Sequence, residues 1–147
     1  MLARTGLRRL EVTSFVRADV IPQLADAEEV LGAVERRDGV AFSVLIPNER
    51  GLERALEMRE RFDEVSVFLS ASETHNLKNV NRSIEESLEG LERTLATARD
   101  AELRCEGVIS TSFGCPYEGD VPVERVLEIA GRLVEAGAVE ILSLIHI

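Results

Sequence analysis

Short runs rich in β-branched and apolar residues alternate along the chain with longer stretches whose apolar positions recur every three or four residues. The first run is Leu7 to Phe15, followed by a helical pattern over 26–37 that places Ala27, Val30, Leu31 and Val34 on one side. Val40 to Ile46 and a helix over 51–62 come next. Glu64 to Ala71 then precedes a long helix over 81–102, in which Ile84, Leu88, Leu91, Leu95 and Ala98 repeat at helical steps. The run from Cys105 to Phe113 leads to a helix over 122–136. Pro122 suits the first turn of that helix and Gly137 the position just past its end. A fifth run begins at Val139.

Strands separated by helices in strict alternation imply right-handed crossovers and a parallel sheet. The fold class is therefore α/β, and two architectures compete, the open doubly wound sheet and the closed barrel. No glycine-rich phosphate loop follows any strand, which removes the usual mark of a nucleotide-binding open sheet. Polar clusters sit just after the strands instead: Thr13-Ser14, Pro47-Asn48, Ser70 to His75, and Ser110 to Cys115. Barrels gather their sites at these carboxyl ends. The pattern predicts part of a (β/α)8 barrel, about five parallel strands alternating with four helices, because a whole barrel takes roughly 250 residues.

Composition narrows the partners. A formal charge of −10 over 147 residues repels phosphate backbones, so nucleic acid is not expected as a partner. A small anionic ligand is compatible, since a few local donors outweigh distant net charge. Cys105 and Cys115 form neither a disulfide framework nor a zinc pattern, as expected of a reducing compartment. No apolar run reaches signal-peptide or membrane-span length. The expectation is a cytoplasmic protein with no membrane partner.

Three stretches carry a family resemblance. They are Glu11-Val12-Thr13-Ser14-Phe15, then Ser70 to His75 running on through Lys78-Asn79-Val80-Asn81 and Ser83 to Ser87, and finally Phe113-Gly114-Cys115-Pro116-Tyr117-Glu118-Gly119. Pro22-Gln23 and Pro47-Asn48 also match. Together they resemble the hydroxymethylglutaryl-CoA lyases, over about Thr5 to Ile141. The resemblance implies a metal-dependent (β/α)8 barrel that cleaves 3-hydroxy-3-methylglutaryl-CoA to acetyl-CoA and acetoacetate, and a homo-oligomer at full length. It implies a divalent cation, Mg²⁺ or Mn²⁺, acting as Lewis acid on the substrate oxygens. The family's metal-binding aspartate, His-x-His pair and asparagine, and its catalytic-loop cysteine, have no counterpart in this sequence, so no metal ligand is assigned. The chain is expected to be an incomplete piece, about half of such a barrel, and inactive alone.

By the same resemblance Glu11 is the catalytic carboxylate, and Ser14, Asn79 and Ser83 bind substrate. Each has a plainer alternative: a structural ion pair for Glu11, a turn cap for Ser14, and helix initiation for Asn79 and Ser83. His75 is read as a pocket-edge histidine rather than a ligand, and Cys115 as a packed residue rather than a nucleophile. Residues 1–141 form the barrel portion, and 142–147 read as an out-of-family tail in which His146 is not a metal ligand. Two rival readings remain. One is a related condensing enzyme of the homocitrate or isopropylmalate synthase type, and the other is a non-catalytic half-barrel that binds through its sheet edges.

Overall fold

A computed structural model describes residues 2–145. Five strands, β1 (Arg9–Ser14), β2 (Ala41–Leu45), β3 (Glu64–Ser70), β4 (Arg104–Ser110) and β5 (Glu140–Ser143), form one sheet in that order. Every neighbouring pair is parallel. A doubly wound sheet reverses its strand order at a switch point; an uninterrupted 1-2-3-4-5 order is that of a barrel wall. β5 continues through Leu142 and Ser143, which pair with Val108 and Ile109. His146 lies outside the described residues.

The crossovers hold α1 (Ala27–Ala33), α2 (Glu49–Leu56), α3 (Glu73–Val80), α4 (Ile84–Asp100) and α5 (Val123–Ala136). The sequence pattern gives four helices, whereas the third crossover is divided into α3 and α4. Ser72 starts α3 by accepting the His75 amide, and Asn81, at φ 55°, ends it in the left-handed region that asparagine tolerates. Ser83 then restarts the helix with a complete capping box, in which its hydroxyl and the Glu86 carboxylate each satisfy the other's backbone amide. Gly137, at φ 125°, closes α5.

Alternation along the strands sorts their side chains. Val65, Val67 and Leu69 of β3, with Cys105 and Ile109 of β4, pack under the helices against Leu88, Leu91, Leu95 and Ala98 of α4. Gly107 belongs to the same face: a Cβ there would stand 2.9 Å from Leu133 Cδ1 and 3.0 Å from Ile141 Cδ1. The opposite, concave face carries Glu64, Ser66, Phe68 and Ser70 of β3 and Glu106, Val108 and Ser110 of β4. At its amino-terminal floor the Arg9 guanidinium meets Glu64 at 2.7 Å, Glu106 at 3.0 Å and Glu140 at 2.7 Å. Arg104 adds pairs to Glu64 and Glu140, both at 3.1 Å. One charged network thereby ties β1, β3, β4 and β5 together. The carboxyl-terminal ends remain open for a site.

Candidate active site

β1 contains a bulge that determines what faces the concave side. Glu11 pairs with Ser43, Val12 is passed over, Thr13 pairs with Val44 and Ser14 with Leu45. Glu11 and Ser14 are three residues apart, so in a regular strand they would face opposite sides. The additional residue restores the match, and both side chains share the concave face while Val12 and Phe15 turn toward the core.

Glu11 is exposed on the open side of the sheet and forms no hydrogen bond or salt bridge among the described residues. Its carboxyl is pushed above the ordinary range, first by the protein packed around its inner side and second by the like charge of Glu106. The structural ion pair considered from sequence belongs to Arg9, Glu64, Glu106 and Glu140 instead. Ser14 Oγ is buried with no hydrogen-bond partner among the described residues. A hydroxyl removed from water without a partner is costly, which suits a group that completes its bonding with a ligand.

Beyond Ser14 a cleft of about 550 Å³ opens among the strand ends. Arg17 and Asn48 line it from the segments after β1 and β2, and Lys78, Asn79, Asn81 and Arg82 from the end of α3 and the loop to α4. Asn48 shapes its own corner by capping α2, its side chain accepting from the Gly51 amide at 3.0 Å. Three cations therefore gather here on a strongly acidic protein. Arg17 is paired with Asp19, and Lys78 Nζ lies 4.4 Å from the centre of the Tyr117 ring.

Tyr117 reaches that position because residues 115–119 fold back, Cys115 and Gly119 exchanging backbone bonds of 2.7 and 2.8 Å. Glu118 then accepts the Thr74 amide at the start of α3, at 2.6 Å, which holds its carboxyl below the ordinary range. Burial pushes the Cys115 thiol up. Bonds from Ser72 and from the Tyr117 and Glu118 amides outweigh it, so the net direction is down. His75 sits in the first turn of α3, its Nδ1 2.6 Å from Ser70 Oγ.

Of the residues singled out from sequence, Glu11 and Ser14 share the concave face, and Asn79 borders the adjoining cleft. Ser83 is engaged in capping α4, its hydroxyl accepting from Glu86 N at 3.1 Å. Asn79 falls in the last turn of α3 rather than at a helix start. Asn48 and Lys78 lie in stretches that carry the resemblance but receive no role from it, and Arg17 and Arg82 belong to no motif, because the cleft joins segments far apart in the chain. Among the described residues no three His, Cys, Asp or Glu side chains converge so as to hold a metal ion. No helix there is long and apolar enough to cross a membrane.

Comparison with known proteins gives the family. The HMGL-like family model matches residues 1–143, and the chain belongs to that family. It is 48% identical over 140 residues to the hydroxymethylglutaryl-CoA lyase of Bacillus subtilis, a match spanning 95% of this chain and 46% of the relative. It is 41% identical to the cytoplasmic 3-hydroxy-3-methylglutaryl-CoA lyase of Rattus norvegicus, over 95% of this chain and 40% of the relative. A solved HMG-CoA lyase of Acinetobacter baumannii, in complex with coenzyme A and 3-methylmalate, superimposes with a TM-score of 0.89 at 32% identity. That alignment covers 97% of this chain and 46% of the solved one. The chain thus spans about half the length of the relatives it matches. Relatives named as cytoplasmic and as mitochondrial both occur.

Proposed function

We propose that this chain supplies the β1–β5 wall of a carbon–carbon lyase that cleaves 3-hydroxy-3-methylglutaryl-CoA to acetyl-CoA and acetoacetate. The observation that carries the reading is that the β1 bulge sets on one face a Glu11 carboxylate and a buried Ser14 hydroxyl, neither hydrogen-bonded among the described residues, beside a cation-lined cleft. Cleavage begins when the tertiary hydroxyl of the substrate loses its proton, and it leaves an acetyl-CoA enolate that must be reprotonated. A carboxyl held above its ordinary range keeps a proton to higher pH, and is a stronger base once ionised, than an ordinary one, and Glu11 is given the proton-transfer role. Ser14 Oγ hydrogen-bonds an acyl oxygen and orients it against Glu11. Arg17, Lys78, Asn79 and Arg82 hold the anionic CoA portion.

The divalent cation, Mg²⁺ or Mn²⁺, that the family resemblance implies would polarise a substrate oxygen when bound. The described residues do not provide its ligand set, and the roles above are those of the side chains alone.

A chimera tests the reading. Residues 1–143 replace the matching segment of the Bacillus subtilis relative, and release of acetoacetate from 3-hydroxy-3-methylglutaryl-CoA is followed. The chimera is expected to be active, with Glu11→Gln lowering kcat by about 10²–10⁴-fold. A folded chimera that releases no acetoacetate, or a Glu11→Gln form as active as its parent, overturns the assignment. Condensation without cleavage favours the synthase alternative.

A further inference from the structure

We propose that Asn76 is a positioning residue that fixes the loop after α3 for recognition of the phosphate-bearing half of a CoA thioester, an inference that rests on the function proposed above. Asn76 is fully buried, yet its side chain is saturated with hydrogen bonds. Its Oδ1 accepts the Ser70 amide at 3.0 Å, at the carboxyl end of β3. Its Nδ2 donates toward the Arg82 carbonyl at 2.9 Å, the Ser83 carbonyl at 3.0 Å and Ser87 Oγ at 2.7 Å.

One short amide therefore spans three elements. It joins the strand end on the concave side, the turn between α3 and α4, and the first turns of α4. The turn itself is backbone-constrained, since Asn81 stands in the left-handed region at φ 55°. With the Arg82 and Ser83 carbonyls drawn inward to Asn76, the Arg82 side chain is left in the lining of the cleft. Gly90 lets it lie close to α4: a Cβ there would come 3.3 Å from Arg82 Nη1.

Packing alone does not call for asparagine in such a place, because an apolar residue of similar volume fills space without burying a polar group. Holding a strand amide on one side and two loop carbonyls on the other requires an acceptor and a two-hydrogen donor on the same short side chain. Asparagine provides both. The cation it fixes belongs to the cleft, whereas Glu11 and Ser14 belong to the reacting end. Loss of Asn76 should therefore weaken affinity for the phosphate-bearing end and leave the acyl end untouched.

The test is calorimetric binding of two probes to the full chain, coenzyme A and pantetheine, which lacks the phosphates. Asn76→Asp preserves shape and the bond to Ser70 but sets a carboxylate against two carbonyls. Ser87→Ala removes a single acceptor and is a milder second variant in case the first does not fold. The expected result is a Kd for coenzyme A raised about tenfold in Asn76→Asp, roughly the effect of one lost clamp, and about threefold in Ser87→Ala, with pantetheine unchanged in both. Coenzyme A binding equal to the parent's in both variants, or equal losses for both probes, overturns the proposal while leaving the cleft's assignment standing. A parent chain that does not prefer coenzyme A to pantetheine overturns the assignment of the cleft, and the role of Asn76 with it.

Discussion

Replacing Arg9 by methionine removes a guanidinium shared by three strands, with contacts of 2.7, 3.0 and 2.7 Å to Glu64, Glu106 and Glu140. The three carboxylates are affected unequally. Glu64 keeps Arg104 at 3.1 Å, and Glu140, at the exposed rim, keeps the same guanidinium at 3.1 Å. Glu106, with a side chain 14% exposed, keeps only the Ser66 hydroxyl at 3.1 Å and has Glu11 as a like-charged neighbour. Breaking a buried ion pair costs about 3–5 kcal/mol. Arg9 is 34% exposed and the concave face is open to water, so the cost here should be nearer 2 kcal/mol. With a urea dependence of about 2 kcal/mol per molar, the unfolding midpoint should fall by about 1 M.

The pH dependence of that deficit has a definite sign. In the parent, hydrogen bonds from Arg9 and then Arg104 hold the Glu140 carboxyl below its ordinary range. That stabilisation is present at neutral pH and is lost as the pH falls through the lowered value. Arg9's share of it is missing from the variant, so the gap between parent and variant narrows as the pH falls below the ordinary carboxyl range and through the lowered Glu140 value. Adding Glu106→Gln to Arg9→Met should recover part of the loss at neutral pH. An unchanged midpoint, or a deficit that grows on acidification, would refute the reasoning.

Other consequences can be checked separately. Ser83→Ala removes half of the capping box and should cost about 1 kcal/mol, lowering the thermal midpoint by about 2–4 °C; a loss of CoA affinity with no change in melting would instead return Ser83 to the binding site. Gly107→Ala drives a methyl into Leu133 and Ile141 and should destabilise by about 1–3 kcal/mol in denaturant titration. Burial raises the Cys105 thiol to about 11, while the Cys115 thiol is shifted down. A thiol reagent at pH 8 should therefore modify Cys115 first, as read by peptide mass mapping.

The alternation of strand and helix was plain from the chain because each strand is a compact apolar run and each long helix has a continuous stripe. α3 was hidden for a physical reason. Its one buried residue is the polar Asn76, so residues 73–80 carry no apolar stripe, and their stability comes from Ser72 and Glu118 at the start and Asn81 at the end. The long helix read over 81–102 is cut to Ile84–Asp100 by the Ser83 cap. Glu11 and Ser14 could be named from the family resemblance, but not their shared orientation, which depends on one bulged residue that strand periodicity does not reveal. The cleft was the least legible feature. Arg17 meets Lys78 and Arg82 only because the first and third crossovers both leave the same end of the sheet.

The most direct measurement is an amide NMR titration of the chain with coenzyme A. Perturbed signals are expected at Val16 and Arg17, at Asn48, and from Lys78 to Arg82, with the floor of the sheet unchanged. Perturbation confined to the separate basic cluster of Arg8, Arg36 and Arg37 at the opposite end would contradict that expectation. So would saturating coenzyme A that moves no signal at the carboxyl ends of β1, β2 and β3.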